Sequence, residues 1–383
     1  MANASEKSAQ DLATLESTVA TTTALITQLL SSASNVEKSS ASSSDGADID
    51  AISLSHDSAS LIRAHSTKIS LLIINKPFTA SAITTVLRGL VAGPLPGLAS
   101  AVELCEAAKY TKAMSKELQW RAKNVFSELA TLVRTIPLDG KVLTTNQKNG
   151  TGNAAGKGSL ACAGVVWEAC DAVMELKNLG VAGLMIKKAE EYRDLVKDAL
   201  EELQEWDDEE SDGEDGEHED HADEDDADGI NTSAQDALDR MFASQHHIPS
   251  ADPDKIRPRL MSCQKRLQLI LLMFQAVVKR RFKTLPPVPS VKVTAPAKGV
   301  EGGGIVSCLN EVLDVFRKIP DIADELASSF YELDSAEIDK RMDECFFAGF
   351  AVAELLVRNW EDEQDEFTVW ARKFQVAMKT PVK

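Results

Sequence analysis

The sequence has no stretch of sustained apolar–polar alternation, and its β-branched clusters are short, so a sheet-built domain is not expected. It has no long hydrophobic run either. Leu71–Ile74 and Leu269–Phe274 are the longest, far short of the roughly 20 residues that span a bilayer. No membrane partner is expected. The first ten residues, MANASEKSAQ, contain no apolar core, so no secretory leader is expected. The six cysteines (Cys105, Cys162, Cys170, Cys263, Cys308 and Cys345) form no CxxC pair. With no leader, they read as buried free thiols in a reducing compartment. Excess positive charge is also missing, which excludes broad nucleic-acid binding by charge.

What is present is negative charge, placed unevenly. The 383 residues hold 41 Lys+Arg and 60 Asp+Glu, a net charge of −19. Residues 201–228 contain 18 of the acids and no Lys or Arg, which leaves 42 acids against 41 bases elsewhere. The chain therefore reads as nearly neutral with one acidic insert. Like charges without apolar side chains cannot build a core, so 201–230 is expected to be a disordered linker.

The remaining pattern is helical. Leu12, Leu15, Val19, Ile26 and Leu29 share one helix face. A second helix is expected from about Asp50 to Asn75, with Leu61, His65, Ile69, Leu72 and Ile73 inward, stopped by Pro77. Thr79 is placed to cap a third helix, which ends at Gly93–Gly97. A single long helix is expected from Leu98 to Ile136, another from Ser159 to Trp206 with a kink near Gly180 and Gly183, and one leading to Leu285. Two shorter helices split at Pro320 and a long last one, Ser335–Lys379, complete the set. At 383 residues about two domains are expected. They are an N-terminal bundle over 1–200, with flexible breaks near 39–48 and 137–157, and a C-terminal bundle over 231–383, with a Pro/Gly linker at 286–304.

Catalytic patterns are thin. Asn149–Ser159 (NGTGNAAGKGS) has the wrong glycine spacing for a phosphate loop, and Gly158 stands where a magnesium-holding hydroxyl is needed. The six histidines (His56, His65, His218, His221, His246 and His247) make no convergent ligand set. No catalytic residue, metal or cofactor is expected, and the chain is read as not an enzyme. Ser211, inside the acidic run, suits an acid-directed kinase; an unmodified solubilising linker suits it equally. Lys279, Arg280, Arg281 and Lys283 form the compact basic cluster, read either as a nuclear-import signal or as cations meeting a helix C-terminus.

Three segments resemble one family. Ser70–Glu103 contains Asn75-Lys76-Pro77-Phe78-Thr79 and Leu95-Pro96; Gly164–Ala172 contains Trp167-Glu168-Ala169-Cys170-Asp171; Asp321–Leu333 contains Asp324, Leu326, Phe330 and Tyr331. Together they resemble the cyclin-D-binding (cyclin-D-interacting) family, in a fungal or otherwise divergent member. The resemblance implies an all-α fold of two antiparallel bundles in the vinculin/α-catenin style. It implies a non-enzymatic regulator in cytoplasm and nucleus that binds cyclin-like or helix-loop-helix partners and restrains cell-cycle progression or transcription. The same residues have a structural reading: Pro77 and Thr79 end one helix and start the next, Pro96 shapes a turn, Trp167 anchors a core, and Asp324 sits in a helical first turn. Two other functions stay open, an adhesion-type or cytoskeletal scaffold and an acidic chaperone for basic proteins.

Overall fold

The computed structural model describes residues 2–34, 49–149, 158–212, 248–249, 251–289 and 304–379. All regular structure among them is helical, and none is strand. They divide into two compact units, Met1–Leu184 and Met185–Lys383.

The first unit holds α1 (Ala2–Ser34), α2 (Ala51–Ile74), α3 (Ala80–Ala92), α4 (Pro94–Leu104), α5 (Ala107–Tyr110), α6 (Lys112–Arg134), α7 (Thr145–Asn149) and the start of α8 (Ser159–Asp212). α1 packs on α3 and α6, and α2 on α3 and α4. Leu15, Ile26, Ile62, Ile69, Leu87, Leu98, Val125 and Phe126 are fully buried between them. Leu61, expected inward, is 51% exposed; Ile62 takes the inward position instead. Ala80–Leu104 is apolar and long enough to cross a bilayer by composition. It is bent at Gly93 into α3 and α4, whose apolar faces turn to α1 and α2.

The single helix expected over 98–136 is three. α4 ends at Cys105, and Thr111 sits at φ +93 before α6 begins. The break has a non-local cause. Asp50 caps α2 by accepting from the Ile52 and Ser53 amides, and the Tyr110 hydroxyl donates to Asp50 while accepting the Ala51 N–H, each at 2.9 Å. A continuous helix would carry Tyr110 away from that cap. Burial raises the Asp50 pKa, but the hydrogen bonds from Ser53, Tyr110 and Ile52 together outweigh it and leave the carboxyl below its ordinary value. The segment 137–149, expected as part of a flexible break, contains α7 and buried Leu143; 150–157 lie outside the described residues.

The second unit holds the rest of α8, then α9 (Ile256–Arg280), α10 (Ile305–Phe316), α11 (Lys318–Tyr331), α12 (Ser335–Leu355) and α13 (Glu366–Lys379). α12 is the hub, packing on α9, α10, α11 and α13. Phe274 stacks on Phe316 with ring centroids 4.3 Å apart, and Phe282 meets Phe316 edge-on. The expected break at Pro320 falls at Arg317, and Pro320 sits in the first turn of α11, where its missing N–H costs nothing.

The units meet inside α8 and not at the acidic run. Gly180 adopts φ +58, ψ −172, which bends the helix where the kink was expected. Beyond it Val196, Leu200 and Leu203 are buried and Trp206 packs edge-on against Tyr331, so 185–206 belong to the second unit, where the sequence reading ended the first domain at 200. The run expected as linker over 201–230 begins as helix, because 201–212 complete α8. Residues 213–230 lie outside the described residues.

Tyr110→Phe should leave the Ala51 amide without its buried acceptor and cost about 1–3 kcal/mol. Urea unfolding followed by circular dichroism checks this. Unchanged stability would show that the Tyr110 hydroxyl does not hold the break.

Candidate functional site

The first signature, Asn75 to Thr79, is the joint between α2 and α3. The last turn of α2 leaves carbonyls open, and another part of the chain fills them. The Leu143 N–H donates to Ile73 O and the Lys148 ammonium to Ile74 O, each at 2.9 Å. The Asn75 N–H closes on Leu71 O. Thr79 occupies the N-cap position of α3, but its hydroxyl donates back to Pro77 O at 3.3 Å and makes no cap hydrogen bond. The expected threonine cap is therefore replaced by a turn within the signature. Asn75, Lys76 and Pro77 are exposed, and Phe78 is half-buried. Pro96 is exposed in the first turn of α4.

The second signature lies on α8. Cys170 is fully buried, and burial pushes its thiol pKa up to about 12, with the nearby Asp171 carboxylate adding to the rise. Such a thiol stays protonated and unreactive. Trp167 is half-buried rather than a core anchor, with the Arg63 guanidinium 5.7 Å from its ring. Arg63 also pairs with Asp171 at 2.9 Å. One cation thus ties α2 to both Trp167 and Asp171, while Glu168 points to solvent. Both partners of the ion pair are about half exposed, so it is worth under about 1 kcal/mol. Sequence reasoning missed Arg63 because nothing local to it marks a partner about a hundred residues away.

A stronger polar anchor holds α8 to α6. Arg121 on α6 is 5% exposed; it pairs with Glu117 at 2.8 Å and Glu175 at 3.0 Å and donates to Ala172 O. His65 is half-buried, its Nδ1 lacks a hydrogen-bond partner among the described residues, and burial lowers its pKa. Gly89 leaves it room, since a Cβ there would come within 2.8 Å of the His65 ring.

The third signature is in the second unit. Leu326 is buried, Asp324 exposed, and Tyr331 half-buried against Trp206. Asp324 is not in the first turn of α11; Asp321 takes that place. Burial and a hydrogen bond to Glu202 raise the Tyr331 pKa.

The basic cluster is divided by the fold. Lys279, Arg280 and Lys283 are exposed, but Arg281 is 1% exposed. Its guanidinium forks onto Asp365 at 2.7 and 3.0 Å, donates to Leu356 O at 2.8 Å and Val357 O at 3.3 Å, and lies 4.3 Å over the Phe367 ring. The Trp360 indole donates to Arg281 O at 2.9 Å. Arg281 is thus no surface cation, which removes it from any import signal. The same contacts split the last helix, expected to run unbroken over 335–379, into α12 and α13 joined by 356–365. Ser211 falls in the final turn of α8, but its side chain lies outside the described residues, as do His218, His221, His246 and His247. Among the described residues no His, Cys, Asp and Glu group is placed to hold a metal ion.

Fold and site together define a helical protein whose buried polar groups serve to join helices. Comparison with known proteins adds a family match over part of the chain. Residues 56–209 match the family described as Grap2 and cyclin-D-interacting, N-terminal. The match takes in the first two signatures, while Asp321–Leu333 lies beyond it. The resemblance read from the sequence to cyclin-D-interacting proteins is thereby borne out. An uncharacterized protein of Schizosaccharomyces pombe is 21% identical over 327 residues, which cover 84% of this chain and 82% of that protein.

Asp365→Asn should remove the charge that meets a buried guanidinium and, with Asp365 itself about a third exposed, cost about 1–3 kcal/mol. The Arg281 guanidinium holds the Asp365 pKa down from 3.8 to about 2, against a smaller opposing effect of burial. A depressed carboxyl pKa contributes stability present above the unfolded value and lost as pH falls. The wild type should therefore lose stability between about pH 4 and 2 faster than Asp365→Asn in acid titrations followed by fluorescence. Parallel titrations of the two would contradict this.

Proposed function

We propose that this chain is a non-enzymatic regulator that binds proteins, a cyclin-D-interacting adaptor restraining cell-cycle progression or transcription in cytoplasm and nucleus. The observation that carries the reading is the match of residues 56–209 to the cyclin-D-interacting family. The arrangement of the signatures supports it. Their apolar members Leu326 and Cys170 face the cores, while Lys76, Pro77, Pro96, Glu168 and Asp324 face solvent, where a partner can reach them. The strongly engaged polar groups, Arg121, Arg281 and Asp50, are spent on joining helices.

The purified full chain should form a complex with a recombinant D-type cyclin, measured by isothermal titration calorimetry. Lys76→Glu combined with Glu168→Lys should weaken that complex about tenfold or more, while surface changes of this kind alter stability by about 0.5 kcal/mol or less. Replacing 213–228 by a glycine–serine run of equal length should leave it intact. Loss of binding on that replacement, with a steep salt dependence, would favour the acidic chaperone instead. No complex with any D-type cyclin would overturn the cyclin assignment.

A further inference from the structure

The outer face of α6 is a file of cations with a tryptophan in the middle. Lys112, Lys116, Lys123 and Arg134 project within about 40° of one line along the helix, at 100° per residue. Trp120 lies on the same line and is 59% exposed, the one large apolar side chain that α6 shows to solvent. Ser127 and Thr131 add exposed hydroxyls to the strip, while Ala130 within it is buried and Gln119 at its edge is half-buried. No carboxylate stands in it. Glu117 and Glu128 sit about 100° or more round the helix, and Glu117 is engaged by Arg121. Lys116, Lys123 and Arg134 have no ion-pair partner among the described residues. The opposite faces of α6 are fully used, packing on α1, α4 and α5 and holding α8 through Arg121. A helix that needed only a solvated face would mix both signs there.

We propose that this strip docks an acidic protein segment, one carrying spaced carboxylates and an apolar residue that covers Trp120. Three features favour such a partner. From Lys112 to Arg134 the file runs about 33 Å, the length of an acidic helix of about 22 residues. Lys116 and Lys123 are two helical turns apart, matching carboxylates at i and i+7 on a facing helix. A solvent-facing indole flanked by cations gives an apolar centre with a charged rim, the usual anatomy of a protein interface. A bilayer would need more than one large apolar side chain to insert. A nucleic-acid strand is held by neutralising many phosphates, and this chain is near neutral even without its acidic run. The inference deepens the protein-binding reading by naming a surface and the chemistry it accepts.

The test is fluorescence anisotropy of a labelled 22-residue peptide of Glu and Asp with central Leu, titrated with the full chain. A second chain, with 213–228 replaced by glycine and serine, removes competition from the protein's own acidic run. Binding is expected in at least the second chain, falling with salt. It should drop tenfold or more in Lys116→Glu/Lys123→Glu and about threefold or more in Trp120→Ala, three surface positions whose change leaves the fold standing. Circular dichroism and thermal melts on the same variants confirm that they fold. Failure of both chains to bind the peptide, or equal binding by the variants, overturns the proposal. So does binding of phosphatidylserine vesicles or oligothymidylate that the same variants abolish while the peptide goes unbound. A cyclin complex without peptide binding would sink the strip alone, and peptide binding without a cyclin complex would sink only the regulatory reading.

Discussion

A guanidinium with 1% of its surface exposed is the constraint around which the second unit is arranged. Taking a cation out of water costs several kcal/mol unless its donors are filled and its charge is met. Arg281 meets both conditions by gathering groups from far along the chain: the Asp365 carboxylate, the Leu356 and Val357 carbonyls and the Phe367 ring. Those partners define the 356–365 connection. Asp365 also accepts the Thr368 N–H and so starts α13. One buried cation thus ends α12, begins α13 and fixes both to the C-terminus of α9. Arg121 acts similarly in the first unit, where it fastens α6 to α8.

This explains which parts of the fold were legible in the sequence. Helices defined by their own stripe, such as α1, α2 and α3, lie where their apolar spacing places them. So do the bend at Gly180 and the arrest of α2 before Pro77, because each has a local cause. The joints set by distant partners were not legible. The interruption between α4 and α6 depends on Tyr110 reaching Asp50, about sixty residues back, and that between α12 and α13 depends on Arg281. Periodicity runs straight through both. The unit boundary differs for a related reason: the composition changes at 201, but the second compact unit begins at Met185.

The signatures were found from their residues, yet their roles divide along burial. Cys170 and Leu326 fill cores, and the Asn75–Thr79 turn is completed by Leu143 and Lys148 from a segment the pattern marked as loop. The exposed members are free to act outward. Cations divide in the same manner. Arg121 and Arg281 are structural and shielded, whereas Lys116 and Trp120 face solvent and Lys123 is half-buried beside them. Sequence alone cannot separate these classes, since a lysine or arginine reads the same on either face until its neighbours are known.

Arg281→Lys tests this account most directly, because it keeps the charge and the basic run but removes the fork that engages Asp365 and two carbonyls together. Hydrogen exchange of the full chain, read by mass spectrometry, should show protection lost across 356–365 and at the adjoining ends of α12 and α13. Unchanged protection there would show that charge alone suffices and that the buried fork does not organise the unit.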